Sequence, residues 1–491
     1  MRPDMVKRPM FLGAFASVSA VVFCVYGEVS ALVAAFVLSV VLTGLIFNYK
    51  KYLTIVLPAI LLIATVVSLF GTVKQQNKLE TAVSRRDTVT ITVMDEPSYD
   101  KSRVQFKGKV NKSKILPEGL TVLVYGENND ISVGDIVNTE VSLSSVYNGK
   151  DDIYYLSQDI YAELEIKSEL EIEGYSVFYR FLGKVRSFIK DTLYSNLKSS
   201  NASTLSALLI GEKSEFTPQF QTAVRSAGLS HVMVVSGMHL AIIMSGITAV
   251  LSRFCIRKLW RNLIYVTAVF LFMAICGFSI SIQRAALTYI LAIFATVINR
   301  DNDSLNTLLA AVCFILAFTP YVLFNISFQL SVLSTMGILV ILPMAERRLN
   351  KFIPKVKIIR ECVTAFIGSI AALIITLPVI IWHFGSFSLI SPVSNMLVSY
   401  AVTVDLLVTA LALIVSLVLP FDIFVKPLFL ISGILTDYIN RVIYFFGSSS
   451  AVMVETSRNF ALASVVLIAV VLIVKRIISR YQYFSQLEKI L

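Results

Sequence analysis

Long apolar runs are the feature that most restricts how this chain of 491 residues can fold. The runs at 11–26, 53–70, 232–251 and 263–280 approach or exceed the roughly 18–20 residues that a helix needs to cross a bilayer core. Only 15% of the residues are charged, whereas about 25% is usual in soluble domains. Because the runs are continuous and do not alternate, they predict membrane helices and not the strands of a membrane barrel.

Basic residues mark one side of this predicted membrane domain. The formal net charge is +11, but the excess lies in short loops between apolar runs, and acidic residues outnumber basic ones in the polar segment 73–173. This is the positive-inside pattern, so the charge indicates topology and not a nucleic-acid-binding surface. Threading the chain by its basic loops predicts an all-α polytopic membrane helical bundle of about twelve helices, with 73–173 outside.

The composition divides the chain into five parts. They are N-terminal transmembrane helices at 1–72, an inserted external β domain at 73–173, an amphipathic interfacial helix at 174–200, a main transmembrane domain at 201–475 and a cytoplasmic tail at 476–491. The remaining membrane spans are predicted near 29–47, 229–251, 282–299, 304–323, 326–343, 362–383, 392–418, 427–446 and 459–474.

Short strands separated by turn residues predict a small all-β domain. The stretches 88–94, 103–110 and 120–125 alternate or are rich in Val, Thr and Ile. Residues 131–137 resemble two strands joined by a turn, and 152–164 supplies one more strand. Five or so short strands suit a small OB-like barrel, and a small sandwich fits nearly as well.

Cysteine and histidine usage restricts the chemistry. The five cysteines all lie outside the polar segment and form no CxxC pair, so neither a disulfide framework nor a thiolate metal site is predicted. We predict no catalytic residue, no metal site and no cofactor. The chain has no Walker A motif, so any motor must be another polypeptide.

Polar residues stranded in apolar surroundings are the most specific signal, because each must be compensated. The three histidines, His231, His239 and His383, all lie in or beside predicted spans. Several motifs surround them in order: ALLIGEKS at 207–214, AGLSHVMVVSGMHL at 227–240, GFSISIQRA at 277–285, Pro320 with NISFQLS at 325–331, and TLP, WHFG and PVSN at 376–378, 382–385 and 392–395.

In these motifs the chain resembles the ComEC family of competence proteins, the inner-membrane channels for DNA uptake in natural transformation. The resemblance is detailed from about 200 to 400 and weak toward the N-terminus. Asn325 and Ser327 stand where the family has Asp and Gly. The resemblance implies a channel, not an enzyme, that passes single-stranded DNA across the bacterial cytoplasmic membrane.

Many members of the family continue into a metallo-β-lactamase-like domain. This chain has no HxHxDH motif, so the resemblance implies a member that lacks this C-terminal hydrolase domain. The implied partners are single-stranded DNA, the lipid bilayer, an external DNA receptor, a cytoplasmic helicase or ATPase and a separate nuclease. A homo-oligomer stays open.

A DNA channel needs a hydrated path with donors for phosphate oxygens. The candidates for its lining are His231, Ser236, His239, Arg284, Asn325, Gln329, His383 and Asn395. Arg284 comes first, because a guanidinium group suits phosphate; its alternatives are an ion pair, for instance with Asp405, or a position near the interface. His239 shares a helix face with Ser236, and its alternative is a packing hydrogen bond. Interface anchoring is the alternative for His231, and packing hydrogen bonds are the alternative for Asn325 and Gln329.

In the polar segment, Arg103, Lys107 and Lys109 are the candidates for external DNA contact, with Tyr99, Phe106 and Tyr125 available for base stacking. A solvated surface is the alternative. The competing functional hypothesis is a membrane-embedded enzyme or small-solute transporter that uses His239, His383 and Asp405.

Overall fold

The computed structural model describes residues 9–26, 53–100, 103–127, 131–147, 152–299, 302–349, 356–419, 421–448, 453–457, 459–461 and 463. The predicted span at 29–47, most of that at 459–474 and the predicted tail at 476–491 lie outside these residues.

Helices form most of the described chain. The first are α1 (Pro9–Tyr26), α2 (Leu53–Glu80), α3 (Ile153–Leu156), α4 (Val177–Asn196), α5 (Ser199–Ile210) and α6 (Pro218–Ser226). The following ones are α7 (Gly237–Leu251), α8 (Lys258–Ile275), α9 (Ile280–Val297), α10 (Ser304–Phe318), α11 (Ile326–Leu349), α12 (Lys357–Phe384), α13 (Ser391–Val418) and α14 (Asp422–Gly447). A 3₁₀ helix, Pro320–Phe324, separates α10 from α11.

Six helices among the described residues are long and apolar enough to cross a bilayer, so the chain is a multi-pass membrane protein. They are α2 over Leu57–Glu80, α8, α9, α11, α12 over Ile359–Phe384 and α13. The expected number of about twelve is not confirmed. Helices α7 and α10 are apolar but have 15 residues each, or about 22 Å at the usual rise, against a core of about 30 Å. Helix α14 has 26 residues but is less apolar than the six.

The span predicted from residue 229 is wrong in its first part. Residues 227–236 form a non-helical loop, and helix α7 begins only at Gly237. Ser236 explains the boundary, because its side chain accepts a hydrogen bond from the Met238 amide as an N-cap. The membrane domain therefore contains an interrupted segment where the hydropathy pattern is continuous.

Seven strands form one sheet that closes on itself. They are β1 (Arg86–Val93), β2 (Ser98–Asp100), β3 (Arg103–Lys112), β4 (Thr121–Glu127), β5 (Asp135–Val146), β6 (Ala162–Ile166) and β7 (Glu171–Tyr175). The order β1-β3-β4-β6-β5 returns to β1, which pairs with both β3 and β5. Only β4 and β6 pair in parallel among the described strands of this sheet. We call this unit, residues 86–175, the barrel.

Two strand predictions in the barrel need correction. Residues 131–137 do not form two strands: a turn around Gly134 leads into the single long strand β5. Residues 152–164 begin with the one-turn helix α3, and strand β6 starts only at Ala162. The alternating pattern of β3 is confirmed, with Val104, Phe106 and Val110 buried inside the barrel.

The predicted amphipathic helix is confirmed as α4. Leu182 and Leu193 are buried, whereas Phe178 and Phe181 are exposed. The helix lies directly against the barrel at Gly134, where a Cβ atom would stand 2.5 Å from the Arg180 amide nitrogen. The exposed phenylalanine rings suit a position in the membrane interface, which stays a prediction.

A seam of polar and aromatic side chains joins the barrel to the helices. Gln76 of α2 donates to the Tyr147 carbonyl oxygen (3.2 Å) and accepts from the Tyr321 hydroxyl group (3.4 Å). Tyr147 stacks on Tyr155, with ring centroids 4.0 Å apart. The seam fixes the barrel to the end of α2 and to the 3₁₀ helix. A short ribbon of β8 (Ser386–Ser388) and β9 (Met453–Glu455) links the loop after α12 to the segment after α14.

Candidate functional site

A cavity of about 1200 Å³ lies where the barrel, α4 and the membrane helices meet. The barrel contributes Lys107 and Asp159, and helix α4 contributes Arg186. The membrane side includes the turn between α8 and α9, where Gly277 and Phe278 adopt positive φ angles. The cavity thus has charged groups at the barrel and mainly apolar walls at the bundle.

The non-helical loop 227–236 is buried in the helical core next to this region. Leu229 and Val232 are fully buried, so the loop's backbone needs partners inside the protein. Serine hydroxyls at the start of α13 supply them, because Ser391 and Ser394 donate to the carbonyl oxygens of residues 228 and 227, at 3.1 and 2.6 Å. The loop is therefore held as a fixed element of the membrane domain.

His239 lies in the first turn of α7 and is fully buried. Its Nδ1 accepts from the Ser236 amide (3.1 Å) and lies 3.0 Å from the Ser236 hydroxyl oxygen. A ring that accepts at Nδ1 carries its proton at Nε2 when neutral, and Nε2 has no hydrogen-bond partner in the described chain. The predicted pairing of Ser236 with His239 is present, and it closes the helix terminus.

Arg284 lies in the first turns of α9 with 6% of its surface exposed. Its Nη1 donates to the Thr335 hydroxyl oxygen (2.9 Å), while Nε has no hydrogen-bond partner among the described residues. A Cβ atom on Gly237, the first residue of α7, would stand 3.0 Å from Nη2. The guanidinium group is thus packed against the N-terminus of α7, where the helix dipole disfavours a cation.

The ion pair between Arg284 and Asp405 that the sequence left open is not formed. Asp405 accepts hydrogen bonds from three hydroxyl groups of α13 and α14 instead. Within the described ranges, no carboxylate oxygen lies within 4.0 Å of the Arg284 guanidinium group. A buried cation with one neutral partner leaves unused capacity for an anion.

The structure brings His231 and Asn395 together. His231 hydrogen-bonds the Asn395 side chain from the loop before α7. Asn395, in the first turns of α13, also donates to the Ser369 hydroxyl oxygen on α12. These contacts tie the loop, α12 and α13 into one polar cluster.

Asn325 and Gln329 make local contacts around the start of α11. The Asn325 side-chain oxygen accepts from the Ser327 and Phe328 amides at 2.9 and 3.2 Å, as an N-cap. Gln329 donates to the Leu323 carbonyl oxygen (2.9 Å) and closes the 3₁₀ helix. Helix capping accounts for both side chains without a ligand, and Asn325 itself lines the cavity.

His383 occupies the penultimate position of α12, where it is exposed and lines the cavity. In the described residues no hydrogen bond or ion pair joins it to His239 or Asp405. The three side chains required by the enzyme or small-solute hypothesis thus make separate contacts. No group of three or more metal-ligating side chains occurs in the part of the chain that the structure describes.

The three basic candidates of the barrel lie on strand β3, and each faces an acidic group. Lys107 donates to the Gln158 carbonyl oxygen (2.8 Å), and Lys107 and Lys109 both attract Asp159. Arg103 attracts Glu165. Their positive charge is therefore partly neutralised within the barrel.

The stacking residues suggested for the barrel need revision. Phe106 is 3% exposed and belongs to the barrel core, so it is not available to a base. Tyr125 is half-buried, and the side chain of Tyr99 lies outside the described residues.

Sequence reasoning missed the tyrosines beneath the barrel. Tyr161 is hydrogen-bonded to Asp159, and burial, with the nearby Asp159 carboxylate, raises the pKa of its phenol well above the usual range. Burial also raises the pKa of Tyr147, which donates to Glu163 (3.1 Å). Both rings stay neutral donors beside the cavity wall. The clustered tyrosines of 147–161 were the available signal.

Comparison with known proteins concerns mainly the membrane domain. A family model described as Competence protein matches residues 208–480, which include all eight predicted lining residues and none of the three basic barrel residues. The chain is similar to ComE operon protein 3 of Bacillus subtilis (strain 168), with 25% identity over 283 residues. That alignment covers 58% of this chain and 35% of the relative, so the chain spans about a third of the curated protein that it matches. No solved structure matches.

Proposed function

The chain belongs to the competence protein family and is a multi-pass protein of the cytoplasmic membrane, and from this premise we propose that it acts in DNA uptake. More specifically, it passes single-stranded DNA through its membrane domain. The eight lining candidates surround the start of α7, the start of α11 and the α12–α13 junction, and the DNA follows the path between these points.

The observation that carries this proposal is the buried guanidinium group of Arg284. It lies in a membrane helix with a single neutral side-chain partner among the described residues. An isolated cation in such surroundings costs several kcal/mol, so its retention favours a transient anionic partner. A phosphodiester group supplies the negative charge and the oxygen pair that a guanidinium fork accepts.

The cavity beside Arg284 supports a polymer as the ligand. Its volume of about 1200 Å³ exceeds the roughly 300–1,000 Å³ of small-molecule pockets. Gln283 and Ala286, which flank Arg284 in the chain, line it, and Phe278 and Phe324 offer ring faces for bases. The DNA enters here and meets Arg284 further in.

The barrel lies outside the membrane and guides the strand into this cavity. A closed five-stranded ring agrees with an OB-like fold, a common reader of single strands. Of the three basic candidates, Lys107 is the first contact, because it alone also lines the cavity. Arg103 and Lys109 extend the same strand toward the solvent.

Uptake of labelled DNA into the cytoplasm of a deletion strain tests the proposal. Complementation with Arg284→Ala should lower uptake about 10- to 100-fold, the loss expected for charge-assisted hydrogen bonds of about 1.5–3 kcal/mol. Arg284→Lys, which keeps the charge without the fork, should fall between. Arg253→Ala removes an exposed arginine from the loop after α7 and is the matched control. Wild-type uptake by Arg284→Ala, at equal protein in the membrane, would refute the role of Arg284.

A further inference from the structure

Asp405 is a fully buried acid near the middle of helix α13. Acidic side chains at such a depth are rare, and they usually face a partner or a functional path. Neither the cavity nor the Arg284 region includes it. In the described part of the chain no Lys, Arg or His nitrogen lies within 4.0 Å of its carboxyl group.

Three hydroxyl groups surround this carboxyl group. Ser432 and Thr409 donate to Oδ1 at 2.7 and 3.2 Å, and Thr436 donates to Oδ2 at 2.7 Å. Ser432 and Thr436 are one turn apart on α14, and Thr409 is one turn beyond Asp405 on α13. The two helices thus form a compact cage of oxygen atoms.

The hydroxyl hydrogens of the cage have alternative acceptors. The Thr436 oxygen lies 2.7 Å from Oδ2 and 2.9 Å from the Ser432 carbonyl oxygen. The Thr409 oxygen lies 3.2 Å from Oδ1 and 2.8 Å from the Ser432 hydroxyl oxygen. Each hydroxyl group has one hydrogen and can turn it from one acceptor to the other.

This choice lets the cage satisfy both protonation states. When the carboxylate is charged, the three hydroxyl groups donate to it. When Oδ2 carries a proton, the new O–H group donates to the Thr436 oxygen, and Thr436 turns its hydrogen to the Ser432 carbonyl oxygen. Both states are fully hydrogen-bonded without movement of a heavy atom, which is unusual for a buried polar group.

No other charged group sets the state of Asp405. Helices α4, α5, α7, α12 and α14 pack against α13, and α5 carries no charged residue. Of the others, neither Lys190 of α4, His239 of α7 nor His383 of α12 acts on the carboxyl group, whose surroundings are burial and the three hydroxyls. Asp437 of α14 binds Asn201 (2.8 Å) and Lys198 (3.5 Å) instead.

We propose that Asp405 is a proton-binding site at the centre of the membrane domain, which takes up and releases a proton as the hydroxyls of Thr409, Ser432 and Thr436 reorient. The proton comes from water and returns to it. A polar stripe leads outward along α14, from Thr436 to Asn440 one turn on, where Asn440 bonds Asn201 and Thr204. The stripe ends at the partly exposed pair of Asp437 and Lys198.

Infrared difference spectroscopy on the full chain in lipid nanodiscs, without DNA, tests this site. Changing the pH should produce a carboxylic acid C=O band in the wild type. Asp405→Asn should remove that band, whereas the matched variant Asp437→Asn should keep it. Thr436→Val retains the shape but removes one hydroxyl, and it should move the titration midpoint by about one pH unit, the equivalent of one hydrogen bond.

Two results would overturn the proposal. One is a wild-type spectrum with no pH-dependent band that Asp405→Asn abolishes. The other is a carboxylate signal that responds to sodium at constant pH and not to protons, which would make the cage a cation site. If Asp405→Asn does not fold, the Thr436→Val midpoint decides, because an unchanged midpoint would exclude Asp405 as the titrating group. Since no DNA is present, these outcomes are independent of the channel proposal.

Discussion

Replacing Asn325 separates a structural role from DNA contact at the mouth of the cavity. Its side-chain oxygen caps α11 through the amides of Ser327 and Phe328. Its Nδ2 donates to the Ser157 carbonyl oxygen of the barrel at 3.4 Å, near the outer limit for a hydrogen bond. The cap therefore carries most of the stabilising free energy of this side chain.

The magnitudes follow from these contacts. Asn325→Ala removes the cap and should lower the free energy of unfolding by about 1 kcal/mol, within the range of about 0.5–2 kcal/mol for lost caps. Asn325→Asp keeps both accepted bonds and adds a negative charge at a helix N-terminus, worth about 0.3–1 kcal/mol. This gain offsets the lost contact to the barrel, so the Asp variant should be at least as stable as the wild type.

Thermal unfolding in nanodiscs and DNA uptake in cells together provide the assay. If Asn325 acts as a cap, Asn325→Asp should take up DNA at the wild-type level, as expected from the Asp that the ComEC resemblance places at this position. A carboxylate facing phosphate would instead repel the strand. A stable Asn325→Asp protein with strongly reduced uptake would show that the side chain touches DNA and would refute the capping argument.

Two further variants test the packing and the electrostatics. Gly337→Ala in α11 would place a Cβ atom 2.5 Å from the Ala371 carbonyl oxygen, so it should destabilise the α11–α12 pair by about 1–3 kcal/mol in thermal unfolding. Gly368→Ala in α12, whose Cβ atom would have 3.7 Å of clearance, should not. Burial raises the pKa of Asp159, so the folded barrel binds this proton more tightly than the unfolded chain, and wild-type stability falls as the pH rises through the raised pKa. Asp159→Asn should therefore slow hydrogen exchange in the barrel at neutral pH and lose this advantage in acid; an equal effect at both pH values would contradict it.

The sequence predicted the elements that depend on local patterning. The amphipathic run at 175–197 became α4, and the alternation at 103–110 became β3, because side-chain period follows from backbone geometry. The motif order also predicted the family correctly. Hydropathy alone failed at 227–236, because a buried loop can be as apolar as a helix when serine hydroxyls from elsewhere satisfy its carbonyl groups.

The relations between candidate residues depended on tertiary contacts that no sequence period encodes. Asp405 was weighed as a partner for Arg284, yet its partners are hydroxyl groups on α13 and α14. The pairing of His231 with Asn395 joins positions 164 residues apart (395 − 231). By contrast, Ser236 and His239 could be paired in advance, because three residues along a helix bring two side chains to one face.

The seam between the barrel and the helices has a mechanical consequence. The chain enters the barrel from α2 and leaves it into α4, and Gln76, Tyr147 and Tyr321 hold the barrel at a further point. A body fastened at several points resists swinging like a door. The aperture beneath the barrel therefore keeps a constant calibre, and whatever passes must fit it end-on.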